Sequence, residues 1–103
     1  MIEVKNAADP GQVKRSKQRQ ETLRDRELND LRYVLNDRRG RRFLWRLLGN
    51  CKVFCTIWEP SAKIHYNSGM QDVGHFLQAE ITEASEEAYF CMMKESKDDR
   101  GKS

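Results

Sequence analysis

The stretch LRYVLNDRRGRRFLWRLLGN, residues 31–50, decides the fold of this chain. Apolar residues stand on both sides of Asp37, a residue type that accepts hydrogen bonds from the first amides of a helix. Beyond it, four apolar residues share one face at helical spacing: Phe43, Leu44, Leu47 and Leu48. Gly49 and Asn50 follow, and Gly accepts the left-handed conformation that ends many helices. The stretch predicts the end of one helix, a tight connection and a second short helix with Gly40 in its first turn.

The preceding segment, residues 13–36, lacks Gly and Pro and is rich in Arg, Gln, Glu and Leu. Its apolar residues share one arc: Leu23, Leu28, Leu31, Val34 and Leu35. Continued backward, this arc meets Arg24, Gln20 and Lys17, so the first half of the helix has no apolar face. We expect residues 13–22 to project as a basic helical arm. Residues 1–12 contain the turn cluster Asp9-Pro10-Gly11 and are expected to be a disordered tail.

Two further helices are expected between residues 67 and 97. Asn67 or Ser68 can cap the third, whose apolar residues recur every three or four positions: Met70, Val73, Leu77 and Ile81. Gly74 lies on the same side and indicates the close approach of a neighbouring helix. Ser85 can open the fourth, with the stripe Tyr89, Met92 and Met93. Residues 98–103 form a predicted polar tail.

The connection at about residues 50–66 is irregular in pattern. Its β-branched and aromatic content is compatible with a short strand, but a lone strand has no sheet to join. We therefore favour a loop that packs Phe54 and Trp58 against the helices. The predicted fold is all-α: one domain, residues 13–97, built as a small bundle of three to four short helices with polar tails.

Composition restricts the class of protein. The chain has 103 residues, of which 38% are hydrophobic and 34% charged, enough for one domain with a modest core. No apolar run approaches the roughly 18 residues of a membrane span. The first residues show neither the basic nor the apolar region of a secretory signal. Three cysteines cannot all pair within one chain, so we expect reduced thiols and a cytoplasmic setting.

Charge is distributed unevenly along the chain. Residues 13–46 carry twelve Lys and Arg against five Asp and Glu, whereas residues 67–103 carry four against eight. A basic first half suits nucleic acid or an acidic protein surface. The residues expected to bind such a partner are Lys14, Arg15, Lys17, Arg19, Arg38, Arg41, Arg42, Trp45 and Arg46. The alternative is that Trp45 packs under the first helix and the arginines pair with Asp30, Asp37 or the acidic fourth helix.

Catalytic and metal-binding patterns are weak. The potential soft ligands are Cys51, Cys55, His65, His75 and Cys91, and only the first two have the short spacing of compact zinc motifs. Half-buried cysteines that act as small hydrophobic residues fit better. No glycine-rich phosphate loop or recognisable catalytic arrangement is present. We expect no enzyme activity, no metal and no cofactor.

Three segments together resemble a small family of tailed-bacteriophage proteins that was named from a Bordetella podovirus. They are residues 31–35 (LRYVL), residues 40–48 (GRRFLWRLL) and residues 67–81 (NSGMQDVGHFLQAEI), and a last match lies at residues 89–95 (YFCMMKE). The resemblance covers roughly residues 28–95. The chain departs from the family pattern at Gln71 and Asp72, where basic residues are expected.

The resemblance implies a virion or head-assembly context, because the family is encoded among head and portal genes. It implies no reaction and no catalytic residues. The function expected is that of a phage structural or assembly-associated binding protein, with a virion or assembly protein as its partner and homo-oligomers as a further possibility. The alternative is a nucleic-acid-binding or host-directed regulatory protein that uses the basic N-terminal helices, with DNA as a partner. Host cytoplasm or the virion is the expected location, without a membrane partner.

Overall fold

A computed structural model describes residues 9–101 as four helices and, within this range, contains no strand. They are α1 (Pro10–Leu35), α2 (Arg38–Asn50), α3 (Lys63–Ala84) and α4 (Glu86–Gly101). The predicted all-α bundle is thereby confirmed. The Cα extents are 63 × 39 × 15 Å, so the molecule is long and thin. Residues 1–8 and 102–103, which hold parts of the predicted tails, lie outside the described range.

Helix α1 begins at Pro10, three residues before the predicted start at Val13, so the tail prediction was wrong for residues 10–12. The side chain of Asp9 accepts hydrogen bonds from the amides of Gly11 at 3.0 Å and Gln12 at 3.4 Å. Pro10 occupies the first helical position, where its missing N–H is no loss and its fixed φ suits the helix. The cluster that was interpreted as a breaker is therefore a helix start.

The corner between α1 and α2 has the predicted cap. Asp37 Oδ1 accepts a hydrogen bond from the amide of Arg39 at 2.8 Å, and Arg39 also pairs with the same carboxylate through its guanidinium. These bonds lower the pKa of Asp37 to about 2. Gly40 is required at this corner, because a Cβ there would collide with the carbonyl oxygen of Val34.

The end of α2 differs from the prediction at Gly49. Gly49 remains helical, and Lys52 takes the left-handed conformation with φ 62°. The amide of Val53 donates a hydrogen bond to the carbonyl of Leu48 at 3.3 Å. The amide of Lys52 donates one to the carbonyl of Gly49 at 3.0 Å. This pair of bonds is the Schellman motif, which usually carries Gly where this chain has Lys52.

The irregular connection is shorter than predicted, residues 51–62, because α3 starts at Lys63 and not at Asn67 or Ser68. The hydroxyl of Ser61 accepts a hydrogen bond from the amide of Lys63 at 3.3 Å and helps to begin the helix. Phe54 packs against a helix as expected, because its ring stacks on Trp45 of α2 with the ring centroids 4.6 Å apart. Trp58 is 74% exposed, so the prediction that it packs against the helices was wrong.

Helix α3 buries Ile81 and packs Leu77 against the core as expected, but Val73 of the predicted stripe is exposed. Gly74, Ile81 and Ala84 are buried on its inner face, whereas Val73 is exposed. The predicted stripe was therefore correct for Leu77 and Ile81 and wrong for Val73. At Gly74 the expected close approach is real: a Cβ would lie 2.5 Å from Val53 Cγ2 and 2.6 Å from Cys51 Cβ. The segment that approaches is the end of α2 and the turn after it.

Helix α4 follows α3 after the single residue Ser85. The hydroxyl of Ser85 accepts a hydrogen bond from the amide of Ala88 at 3.1 Å. The helix continues to Gly101, so the polar tail predicted from residue 98 was wrong for residues 98–101. Met92 is the buried residue of its stripe, while Met93 is exposed. The core joins all four helices through Leu35, Leu44, Leu48, Ile81, Ala84 and Met92. Phe43, expected on the buried face of α2, is half exposed.

Candidate partner-binding surfaces

The first half of α1 forms the basic arm. Every residue from Asp9 to Leu23 is exposed. The arm carries four of the predicted binding residues, and none of them forms an ion pair within residues 9–101: Lys14, Arg15, Lys17 and Arg19. Their cationic groups are available to an external anion.

Two of the predicted arginines on α2 are held by acids of α4. Arg41 forms a bidentate pair with Glu95, with Nε to Oε1 at 2.9 Å and Nη2 to Oε2 at 2.8 Å. Arg38 Nη2 donates to Asp99 Oδ1 at 3.1 Å. The hydrogen bonds with Arg41 lower the pKa of Glu95 and raise that of Arg41. For these two residues the structure agrees with the alternative in which the arginines pair with the acidic fourth helix.

The other two arginines of α2 that were predicted to bind a partner, Arg42 and Arg46, have no acidic partner within residues 9–101. Arg46 lies over the ring of Phe43, with its guanidinium carbon 5.4 Å from the ring centroid. Both arginines line a cleft of about 270 Å³ between α2 and α4. Its other walls are Arg38, Arg41, Trp45, Met92, Glu95, Ser96, Asp99 and Arg100. The cleft therefore brings the side chains of Trp45 and Met92 together with Arg42 and Arg46, which can bind an anion.

Trp45 is the centre of what we call the aromatic row: Phe54, Trp45, Tyr89 and Phe90. Successive ring centroids lie 4.6, 6.1 and 6.4 Å apart. Trp45 therefore contacts the connection and α4 through its ring, and it also packs against the core cluster to which Leu35 of α1 belongs. Gln78 Nε2 donates to the hydroxyl of Tyr89 at 2.6 Å and fixes that ring. The rings at the two ends, Phe54 and Phe90, are each about half exposed.

Sequence reasoning missed the ion pairs between α1 and α3. Arg24 binds Glu80, with Nη1 to Oε1 at 2.9 Å, and also pairs with Glu83. These bonds raise the pKa of Arg24 and lower that of Glu80. Arg24 stood on the apolar arc of α1, and a charge in that place indicates an acidic partner on the neighbouring helix. Arg32 also crosses to α3, where its Nε donates to the carbonyl of Ala84 at 2.6 Å.

The cysteines are free thiols: Cys51 is buried, Cys91 half buried and Cys55 exposed. Gln71 donates to the carbonyls of Lys52 at 2.7 Å and Cys55 at 3.2 Å, so a side-chain amide organises the turn. Among residues 9–101, no three His, Cys, Asp or Glu side chains are grouped so that they could hold a metal ion.

Comparisons with protein-family models, with curated proteins and with solved structures find no match to this chain. None of the helices in residues 9–101 combines the length and the apolar character that a bilayer crossing needs. The candidate surfaces are therefore interpreted from their own geometry: a basic arm, a cleft with two arginines, and an exposed aromatic row.

Proposed function

We propose that this protein is a non-enzymatic, assembly-associated binding protein of a tailed phage, acting in the head region within host cytoplasm or in the virion. The observation that carries the proposal is the aromatic row, because two of its rings stay half exposed beside a cleft. Aromatic residues and Arg are enriched at protein interfaces, where they supply much of the binding free energy. The resemblance of residues 28–95 to a phage family encoded among head genes supplies the context.

The cleft indicates the chemistry of the partner. Trp45 belongs both to the aromatic row and to the cleft wall, so one partner can cover both features. Arg42 and Arg46 favour carboxylates at the edge of that contact. We therefore expect a protein partner that inserts an apolar or aromatic side chain along the row and places acidic residues at the cleft.

The test is quantitative mass spectrometry of purified particles from a phage that lacks this gene, complemented with plasmid-borne variants. The proposal predicts a fixed copy number per particle with the wild-type chain, or per assembly intermediate if the protein leaves before maturation. Phe90→Ser and Arg42→Gln should lower that copy number. Tyr33→Ser is the matched control, because Tyr33 is an exposed ring outside the row. Absence of the wild-type protein from both particles and intermediates would overturn the proposal.

A second candidate function, binding of nucleic acid, is favoured by the basic arm. Four cationic side chains on one exposed stretch of helix can contact phosphates along a groove: Lys14, Arg15, Lys17 and Arg19. The arm is helical in the free protein and α1 as a whole is 26 residues long, about 39 Å at 1.5 Å per residue. A helix of this kind fits the major groove of duplex DNA.

This candidate is tested by fluorescence anisotropy on duplex and single-stranded DNA across a salt titration. Each phosphate contact contributes about 0.9 to the slope of log affinity against log salt, so replacing all four arm residues by Gln should flatten the slope by about 3 to 4. The control is the pair Arg42→Gln and Arg46→Gln, which removes charge from α2 and leaves the arm intact. No binding at low salt, or a slope unchanged by the arm variants, contradicts it.

A further inference from the structure

An apolar strip runs along the outer face of α3. It consists of Tyr66, Gly69, Val73 and Phe76, and its three side chains are 69%, 62% and 60% exposed with all of residues 9–101 in place. The residues are spaced by three, four and three positions, which is the a/d spacing of a coiled-coil seam. None of them belongs to the aromatic row. A strip with this spacing lies along one side of the helix and is suited to a second helix.

Gly69 is the unusual member of the strip. A Cβ at this position would meet no heavy atom of residues 9–101 within 4 Å, whereas one at Gly40 or Gly74 would collide with neighbouring groups. A Gly inside a helix is less favourable than an Ala, because Gly loses more backbone freedom on folding. The open Gly49 differs because it lies one residue from the end of α2. Packing within a single chain therefore gives no reason for Gly69, and close approach of a second chain does.

We propose that the strip is the seam of a homodimer in which the α3 helices of two copies pack antiparallel around a two-fold axis. With the axis between Gly69 and Val73, Gly69 faces Val73 of the partner subunit and Tyr66 faces Phe76 of the partner subunit. Each pair occurs twice, as an isologous interface requires. The a residues then face d residues of the other copy, with the absent side chain of Gly69 opposite a β-branched one.

The antiparallel direction follows from packing. A parallel pair would place Gly69 against the partner's Gly69 and leave a void in the middle of the seam, and such voids are costly. In the antiparallel register each Gly69 faces a Val side chain that can occupy the space it leaves, and a pair of rings closes the seam at each end. The same self-complementarity favours a second copy of this chain over an unrelated helix as the occupant.

The length of the seam limits its strength. The next positions of the heptad pattern are Glu80 and Glu83, and both are held by Arg24 of the same chain. The seam therefore covers residues 66–76, about 15 Å of helix. An interface of this size belongs to the small and weak class, so we expect a dissociation constant in about the micromolar range. This inference goes beyond the proposed function and holds whether or not a virion partner binds the aromatic row.

The test is analytical ultracentrifugation of the full chain from about 1 to 500 µM, a range that brackets a weak interface. We expect a reversible monomer–dimer equilibrium that Gly69→Leu and Val73→Asp each weaken at least tenfold. Circular dichroism melting checks that the variants fold, and the space around Gly69 predicts that Gly69→Leu does. Val13→Asp is the matched control, since Val13 is an exposed Val on the arm. A wild-type chain that stays monomeric throughout, or a Gly69→Leu dimer as tight as wild type, overturns the proposal.

Disulfide trapping tests the register. With the exposed Cys55 replaced by Ser, one chain carries Gly69→Cys and another carries Val73→Cys. On mixing and oxidation, the antiparallel seam predicts that the mixed disulfide forms in excess over either homodisulfide, because only that pair brings the two thiols within bonding distance. Homodisulfides in excess would show a parallel seam and overturn the proposed arrangement.

Discussion

Arg41 and Glu95 form a bidentate ion pair that fastens α2 to α4, and the same guanidinium reaches α1. Besides its two bonds to Glu95, Arg41 donates through Nη1 to the carbonyl of Leu35 at 2.8 Å. The side chains of Arg41 and Glu95 are only 17% and 19% exposed. One side chain thus joins three helices on the cleft side of the molecule, and its role is to hold the fold together.

Replacing Glu95 by Gln should lower the free energy of unfolding by about 1 to 3 kcal/mol, because it leaves a half-buried guanidinium without its charge-assisted partner. Urea unfolding followed by circular dichroism measures this change. Glu87→Gln on the same helix is the control, since Glu87 is exposed and forms no ion pair with any described residue. Equal effects of the two substitutions would contradict the structural role of the pair.

Acid should destabilise the protein through the same carboxylates. Hydrogen bonds from Arg41 lower the pKa of Glu95, and those from Arg24 lower the pKa of Glu80, relative to an ordinary value of 4.5. Their folded-state pKa values lie below the unfolded ones, so the stability that they contribute is present above about pH 4.5 and is lost as the pH falls. Urea titrations from about pH 6 to pH 3 measure the loss. The double variant Glu80→Gln, Glu95→Gln should show a shallower decline, and an identical decline would contradict the assignment.

Lys52→Gly should stabilise the protein by about 1 kcal/mol, because Lys52 holds a left-handed conformation that costs about 1 to 2 kcal/mol for a residue with a Cβ. The greater freedom of Gly in the unfolded chain offsets part of the gain. Thermal unfolding provides the measurement. Lys63→Gly is a control at a helical position, where the substitution should destabilise. A melting temperature for Lys52→Gly below that of wild type would rule out the Schellman geometry.

Gly74→Ala should destabilise by about 1 to 3 kcal/mol, since the added methyl would overlap Val53 and Cys51 and force the turn away from α3. Gly69→Ala is the matched control on the same helix, and it should raise monomer stability by up to about 1 kcal/mol because its methyl meets open space. Chemical denaturation of dilute protein compares the two. A stabilising Gly74→Ala together with a destabilising Gly69→Ala would contradict the assigned inner and outer faces of α3.

Leu48→Ala should cost about 2 to 5 kcal/mol, because Leu48 is fully buried within the core cluster. Phe43→Ala, on the same helix, should cost much less, since its ring is half exposed and loses mainly the contact with Arg46. The ratio of the two free-energy changes is the informative quantity. A larger loss for Phe43 would place the buried face of α2 on the other side.

The sequence predicted the fold class, the cap at Asp37 and the close approach at Gly74, since each depends on local residue chemistry. The sequence-based prediction was wrong where the same local pattern is compatible with two structures. Asp9-Pro10-Gly11 can break a helix or begin one, and only the continuation of the chain decides. Residues 98–101 are polar, but they continue α4, and Arg38 binds Asp99 across the cleft.

The binding residues were predicted as one set. Ion pairs within the fold separate those that an acid of α4 already holds from those that remain candidates for a partner. Arg38 and Arg41 are bound by Glu95 and Asp99, which lie more than fifty positions away along the chain. No local pattern around α2 indicates those partners, although the acidic composition of α4 made the pairing a stated alternative. The arm residues, Arg42, Trp45 and Arg46 keep the role of candidate contacts. The apolar strip of α3 was missed because Val73 was assigned to the buried stripe and Tyr66 to the irregular connection.

The continuity of α1 has a thermodynamic consequence for the basic arm. Isolated helices of this length are marginal in water, because the first turn is costly to nucleate. In this chain Leu28, Leu31 and Leu35 are anchored in or against the core, so the nucleus already exists and the arm needs only to propagate from it. A partner that binds the arm therefore meets a preorganised rod and loses little affinity to the ordering of the chain. Binding to the arm should accordingly show no large unfavourable entropy of the kind that accompanies coupled folding.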